Sequence, residues 1–254
     1  MSYELIDAAL TPDGARISLA RKGANLFVSV NNQPLMASHV HGSEEVMAEV
    51  VCGGLKGLPG IQALVGGLGM GYTLRATLDA LGPDAVVTIA ELIPAVVAWN
   101  RGPLGPLAGH PLADPRVRLF EGDVQQLLRQ APPASFDVML FDIDNGPEAF
   151  TTASNGALYS PAGLQQVRRT LRPGGVVCVW SAFEAPEFLH QLRAAGMGAR
   201  YHRVRARGHV EKGSRHILYL GQAPRVEAAP TPAPAPAAPP RRRPGPPSRG
   251  PRRR

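Results

Sequence analysis

Apolar and polar positions alternate along two short stretches near the start of the chain, Ala15-Arg-Ile-Ser-Leu-Ala20 and Asn25-Leu-Phe-Val-Ser-Val30. That period belongs to strands with one buried face. The second stretch runs into the turn-prone pair Asn31-Asn32, so residues 1–42 are predicted to form a small N-terminal β-hairpin segment. From Ser43 the pattern Glu-Glu-Val-Met-Ala-Glu-Val-Val-Cys takes helical spacing. Ser43 reads as its cap, and Glu44 and Glu45 fall in the first turn, where the helix dipole favours negative charge.

A second regime follows. Apolar runs at Ile61 to Gly66, Ala85 to Ala90, Val117 to Phe120, Phe136 to Phe141 and Val176 to Trp180 have strand length. Between them lie Gly71 to Leu81, Pro94 to Asn100, Val124 to Gln130 and Pro161 to Leu171, each long enough for a helix. Such repetition predicts a parallel sheet covered by helices on both faces. Ser160-Pro161 starts a helix and Arg172-Pro-Gly-Gly175 stops it. After one more helix near Pro186 to Ala195, Arg200 to Ala206 and Arg215 to Leu220 form a closing antiparallel pair, giving seven strands over a 43–222 domain.

Beyond Ala223 the composition turns to Ala, Pro and Arg, and proline at that density prevents helix and sheet, so 223–254 is expected to be a disordered tail. This tail accounts for the formal net charge of +7: it holds eight arginines against one glutamate, leaving 19 basic and 19 acidic residues in the rest of the chain. A basic patch for nucleic acid is therefore expected only in the tail, which lacks aromatic residues to stack on bases. Cys52 and Cys178 both sit in apolar runs, which suits buried thiols in a reducing compartment. With no charged-then-apolar leader and no membrane-length apolar run, a soluble cytoplasmic protein is expected.

The candidate chemistry gathers at strand ends. Gly66, Gly67, Gly69 and Gly71 link a strand to a helix, where the backbone can approach a ligand and present amides. This loop also suits a dinucleotide pyrophosphate or a purely structural turn. The next strands end in acids: Glu91, then Glu121-Gly-Asp123, then Asp142-Ile-Asp144. In open α/β sheets ligands lie across the carboxyl ends of strands, so these acids are expected to converge on one crevice, with Glu91 on ribose hydroxyls. Asp123 reads equally as the cap of the helix it precedes. His39 and His41 lie two apart with no further ligand spacing, and no metal is expected.

Those residues, in that order, resemble the spermidine synthase family, a polyamine aminopropyltransferase branch of the class I S-adenosylmethionine-dependent methyltransferase fold. The matching pieces are Val65-Gly-Gly-x-Gly-x-Gly71, Ile89-Ala-Glu-Leu-Ile-Pro94, Asp114-Pro-Arg-Val117, Glu121-Gly-Asp123, Phe136-Asp-Val-Met-Leu-Phe-Asp142, Gly146-Pro147, Leu158-Tyr-Ser160 and Leu171-Arg-Pro-Gly-Gly175. The resemblance implies a Rossmann-like α/β fold with a seven-stranded, mostly parallel sheet. It implies a transferase using S-adenosylmethionine or its decarboxylated form as co-substrate, a small amine acceptor, and a homodimer paired through N-terminal parts. It places Glu91 on the ribose, Asp123 near the adenine amino group, and Asp142 as the acid facing the reacting groups. Asp144 would assist by charge, and Tyr159 would be either a wall of the acceptor pocket or a packed aromatic.

The chain departs from the family pattern at Gly69, where members usually carry an Asp that pairs with the donor's ammonium. It departs again at Ser43-Glu44-Glu45, where they carry Tyr-Gln-Glu, and in the shortened Asp142-Ile-Asp-Asn-Gly-Pro147. Losing the loop acid favours intact S-adenosylmethionine, whose carboxylate suits exposed amides. Asp142, Asp144 and Glu148 favour an amine or the donor's ammonium. Three readings follow: aminopropyl transfer to an amine, methyl transfer from S-adenosylmethionine, and a weakly catalytic or non-catalytic nucleoside-binding domain tethered to nucleic acid by its tail.

Overall fold

The computed structural model describes residues 2–143, 153–207 and 214–225. The chain opens not as a hairpin but as a four-stranded antiparallel sheet, β1 (Glu4–Leu10), β2 (Arg16–Lys22), β3 (Asn25–Val30) and β4 (Gln33–Ala37), in that spatial order. The predicted strands are its centre. Ile17 and Leu19 of β2 and Leu26 and Val28 of β3 point to one buried face, which is the alternation seen in the sequence. The two unpredicted strands hide for physical reasons. β1 is an edge with Leu5 and Leu10 largely exposed and a register shift between Leu5 and Asp7, so it carries no clean alternation. β4 contains Pro34, which ordinarily argues against a strand and is tolerated at this opposite edge.

The second sheet has seven strands in the order β10-β11-β9-β8-β5-β6-β7. They are β5 (Gln62–Gly66), β6 (Val86–Glu91), β7 (Val117–Glu121), β8 (Phe136–Phe141), β9 (Leu171–Ser181), β10 (Gly198–Arg205) and β11 (Arg215–Gln222). Pairings from β7 through β9 are parallel, and β10 and β11 close the sheet antiparallel. Neighbouring residues bury on opposite faces. Ala63, Val65, Val138 and Leu140 enter one apolar cluster, whereas Leu64, Met139 and Phe141 enter the other. With both faces dry, these strands read as continuous apolar runs. The helices are α1 (Gly42–Cys52), α2 (Tyr72–Ala80), α3 (Pro94–Arg101), α4 (Val124–Gln130), α5 (Ala153–Tyr159), α6 (Pro161–Thr170) and α7 (Pro186–Ala194). None among the described residues is long and apolar enough to cross a membrane.

Local chemistry fixes the junctions. Ser160 caps α6 by accepting from the Gly163 amide, as its pairing with Pro161 predicts. Arg172-Pro-Gly-Gly175 is more than a helix stop, because it already belongs to β9, which pairs irregularly with β8 at this end. The Arg116 guanidinium grips Asp114 and also donates to the carbonyls of Leu78, Leu81 and Gly82 at the end of α2. Its hydrogen bonds, with its charge adding to them, hold the Asp114 carboxyl down at about 2. The Asp114-Pro-Arg segment is thus a clamp on a helix terminus. The folded body also runs past 222: the Ala223 amide donates to Gly175 and that of Gly174 to Pro224.

One long-range bond ties the small sheet to the large domain: the buried Trp99 indole N–H of α3 donates to Asp7 Oδ2 of β1 at 2.7 Å. Replacing Asp7 by alanine leaves that indole without its partner, which costs about 1–3 kcal/mol. The expected result is a lower urea midpoint for Asp7→Ala with little change in the slope of the transition.

Candidate active site

β5 delivers the chain into the glycine loop, and the loop turns because Gly67, Gly69 and Gly71 adopt φ of +86°, +50° and +89°. Gly67 is the most constrained. The position of an added Cβ lies 2.1 Å from the Asp142 carbonyl oxygen, so no side chain fits. Its amide donates to Ala90 O while the Asp142 amide donates to Gly66 O, fastening the loop between β6 and β8. Gly69 lies under Met36, whose Sδ is 3.1 Å from where a Cβ would stand. Asn100, buried at the end of α3, donates to the Gly69 carbonyl at 2.9 Å and fixes the loop from the other side.

Over this loop and the carboxyl ends of β6 and β7 opens a cleft, lined below by Gly67, Glu91, Gly122 and Asp123. Its roof is the N-terminal sheet, through Val30, Leu35 and the Thr11–Asp13 turn. That turn was not anticipated as part of a site. Glu91 is 7% exposed and accepts from the Leu68 and Ile93 amides, one to each carboxylate oxygen, both at 2.8 Å. Each oxygen keeps a lone pair for a further donor such as a ribose hydroxyl. Burial pushes the Glu91 carboxyl above its ordinary range, and the surrounding amides oppose the shift. Asp123 caps α4, accepting from the Gln125 amide at 2.8 Å, and also lines the cleft, so both readings of this residue describe its place.

Asp142 stands at the cleft's edge, where its backbone packs against Gly67. Its Oδ2 accepts from the Thr73 hydroxyl at 2.7 Å, in the first turn of α2. Burial raises its carboxyl, and the Thr73 bond partly offsets this. A second acid approaches from α1: burial and the charge of Asp142 push the Glu44 carboxyl up to about 8. Glu44 Oε2 accepts from Ser43 Oγ at 2.6 Å. Beside them Tyr72 donates to the Ser38 carbonyl, and its ring stacks on His41 at 4.1 Å. Burial raises the Tyr72 phenol, with the charges of Glu44 and Glu45 adding to the effect. Sequence pattern alone flagged Glu44 only as a first-turn acid of α1, and Thr73 and Tyr72 not at all.

The remaining predicted residues fall elsewhere. Tyr159 is 4% exposed and packs edge-on against Phe188 in the apolar cluster of α6 and α7, the packed-aromatic alternative. Trp99 lies in the core with its indole bonded to Asp7. His39 packs on Phe27 and His41 bonds Glu45. Asp144, Gly146, Pro147 and Glu148 lie outside the described residues, as does the tail from 226 on.

Two outcomes follow from this geometry. Gly67→Ala must displace the loop from Asp142, so a ligand held in this cleft should lose at least ~100-fold in affinity by calorimetry, about 2.7 kcal/mol. Because folding raises the Glu44 carboxyl from 4.5 to about 8, the unfolded chain releases this proton first, and the native state loses stability as pH climbs through that window. Glu44→Gln removes the titration. Its urea midpoint should gain on the parent's between pH 5 and pH 8 and hold that gain above.

No family model matches the chain. Polyamine aminopropyltransferase 2 of Streptomyces coelicolor is 33% identical over 179 residues, which are 66% of this chain and 31% of that protein, so the chain spans about a third of the relative's length. Among solved structures, spermidine synthase of Thermotoga maritima superposes with a TM-score of 0.66 at 17% identity, covering 86% of this chain and 72% of the other. A spermidine synthase in complex with the transition state analogue AdoDATO gives 0.69 at 18% identity, covering 86% and 73%. The chain therefore has the α/β fold of these spermidine synthases and is similar in sequence, over part of its length, to a polyamine aminopropyltransferase.

Proposed function

We propose that the chain is an aminopropyltransferase, holding decarboxylated S-adenosylmethionine in the cleft and a small amine at the end bounded by Glu44 and Asp142. The observation that carries this reading is the pairing of two buried acids beside the glycine loop. Such a pair repels the carboxylate of intact S-adenosylmethionine and attracts the ammonium of the decarboxylated donor or a cationic acceptor. Tyr72, with His41 stacked on its ring, offers an aromatic face near the same acids, which suits an alkylammonium. The likeness to a polyamine aminopropyltransferase agrees with this.

The chemistry is a displacement at a carbon bonded to a sulfonium. The neutral amine nitrogen attacks that carbon, the carbon–sulfur bond breaks, and its electron pair stays on sulfur as a neutral thioether. The alkylated nitrogen then gives up a proton. Glu91 and the glycine loop position the donor, and Asp142 receives the proton and orients the amine. Methyl transfer remains the second reading because Gly69 lacks the acid that family members place there. Under it the Glu44–Asp142 pair would face a zwitterionic donor tail, whose carboxylate it repels and whose ammonium it attracts.

Incubating the protein with each donor and a panel of amines, and reading products by mass, separates the two. Aminopropyl-bearing products from the decarboxylated donor alone support the proposal, and methylated amines from intact S-adenosylmethionine overturn it. Asp142→Asn should lower kcat by about 10²–10⁴ while donor affinity changes little.

A further inference from the structure

Ser43 is fully buried at the start of α1, yet its hydroxyl has partners on three other groups. It donates to Glu44 Oε2 at 2.6 Å, receives the Trp180 indole N–H of β9 at 3.1 Å, and lies 2.9 Å from His216 Nδ1 of β11. The amide of Gly42, one residue earlier, donates to Ala206 O beyond β10, which holds the helix start against this edge of the sheet. A hydroxyl has one proton to give and two lone pairs to fill. The indole always occupies one lone pair. When Glu44 is ionised, Ser43 donates to it, and His216 Nδ1 must carry a proton to fill the other. When Glu44 is protonated, its O–H fills that lone pair, Ser43 turns to donate to His216 Nδ1, and the imidazole proton sits on Nε2. Every group is satisfied in both arrangements.

We propose that Glu44, Ser43 and His216 form a proton path between the acidic end of the cleft and solvent at β11. The transfer balances. The Glu44 proton passes to Ser43 Oγ as the Ser43 proton passes to Nδ1, and the transient imidazolium releases its Nε2 proton to water, leaving the Nδ1–H tautomer. His216 is half-buried beside the exposed Arg215. Burial lowers its imidazole below the ordinary value, which speeds the final release. The charged and titratable groups around the path are Asp142 just after β8, His41 just before α1, Glu45 of α1, Tyr72 of α2, and the cross-strand pair Arg205 and Arg215 beside His216. Trp180 packs edge-on to the imidazole at 4.5 Å and holds its plane. On the proposed function, the path removes the proton that Asp142 takes from the acceptor. Ser43 and His216 act through Glu44 and are positioning residues.

The wiring is tested without turnover by nitrogen-15 NMR of His216 in the ligand-free, full-length protein. The Nδ1 resonance should change from the unprotonated to the protonated type as pH rises through the Glu44 titration, near 8. Ser43→Ala should abolish that change. A tautomer that stays constant across the titration overturns the proposal. In turnover, His216→Gly should lower kcat by about tenfold or more with donor affinity unchanged, and added imidazole should restore it. A loss that imidazole does not restore also overturns the relay. If wild-type protein shows the tautomer change but transfers nothing to any amine, the path stands and the proposed function fails.

Discussion

The close approach of Gly67 to the Asp142 carbonyl is the contact on which the site depends. Parallel strands bring successive carboxyl ends to one edge of a sheet, but they do not by themselves bring loops into contact. Here the loop after β5 folds over the end of β8 because position 67 has no side chain and a left-handed backbone. The same step points the start of α2 at Asp142, so that Thr73 can reach its carboxylate, and sets the Leu68 amide on Glu91. One glycine thereby couples the Glu91 end of the cleft to the part that carries Asp142.

Burying carboxylates costs free energy, and the structure meets that cost in two ways. Glu91 is surrounded by backbone amides that belong to the loop itself, so its environment compensates the negative charge while keeping outward lone pairs available. Among the described residues, Asp142 accepts from the Thr73 hydroxyl, while Glu44 accepts from the Ser43 hydroxyl and its own backbone amide and feels the charge of Asp142. Such a pair retains a proton at neutral pH unless a cation arrives. The first arrangement suits a fixed neutral contact, the second a site that responds to a charged ligand.

The large sheet was legible because both of its faces are dry: Ala63 through Gly66 and Val138 through Phe141 are unbroken apolar runs ended by glycine or acid. Capping chemistry was plain at Ser160 and Asp123, where the ligand of the helix amides is local in sequence, but not at Ser43, which lies inside α1 with its hydroxyl on Glu44 rather than on a helix amide. What the pattern could not carry were pairings set only by packing. Ser43 and His216 are 173 residues apart, and Asp7 and Trp99 are 92 apart. Each of these looked ordinary in its own segment. β1 escaped because an exposed edge strand needs no alternation, and the Arg116 clamp because a guanidinium that caps carbonyls leaves no local signature.

The glycine at 69 and the acid at 44 are best understood together. An acidic side chain at 69 would have to take a left-handed backbone and bring its Cβ within 3.1 Å of Met36 Sδ, so cover by β4 disfavours a loop acid unless the Met36 side chain gives way. With β4 seated on the loop, the charge beside Asp142 comes from another element. α1 is so placed, because it packs beside α2 and its Glu44 feels the charge of Asp142. An acid carried on a helix start is held more firmly than one on a glycine loop, and its hydroxyl partner Ser43 ties it to β9 and β11. An acid on α1 beside Asp142 therefore gains, through Ser43, a connection to the far edge of the sheet that an acid at position 69 would lack.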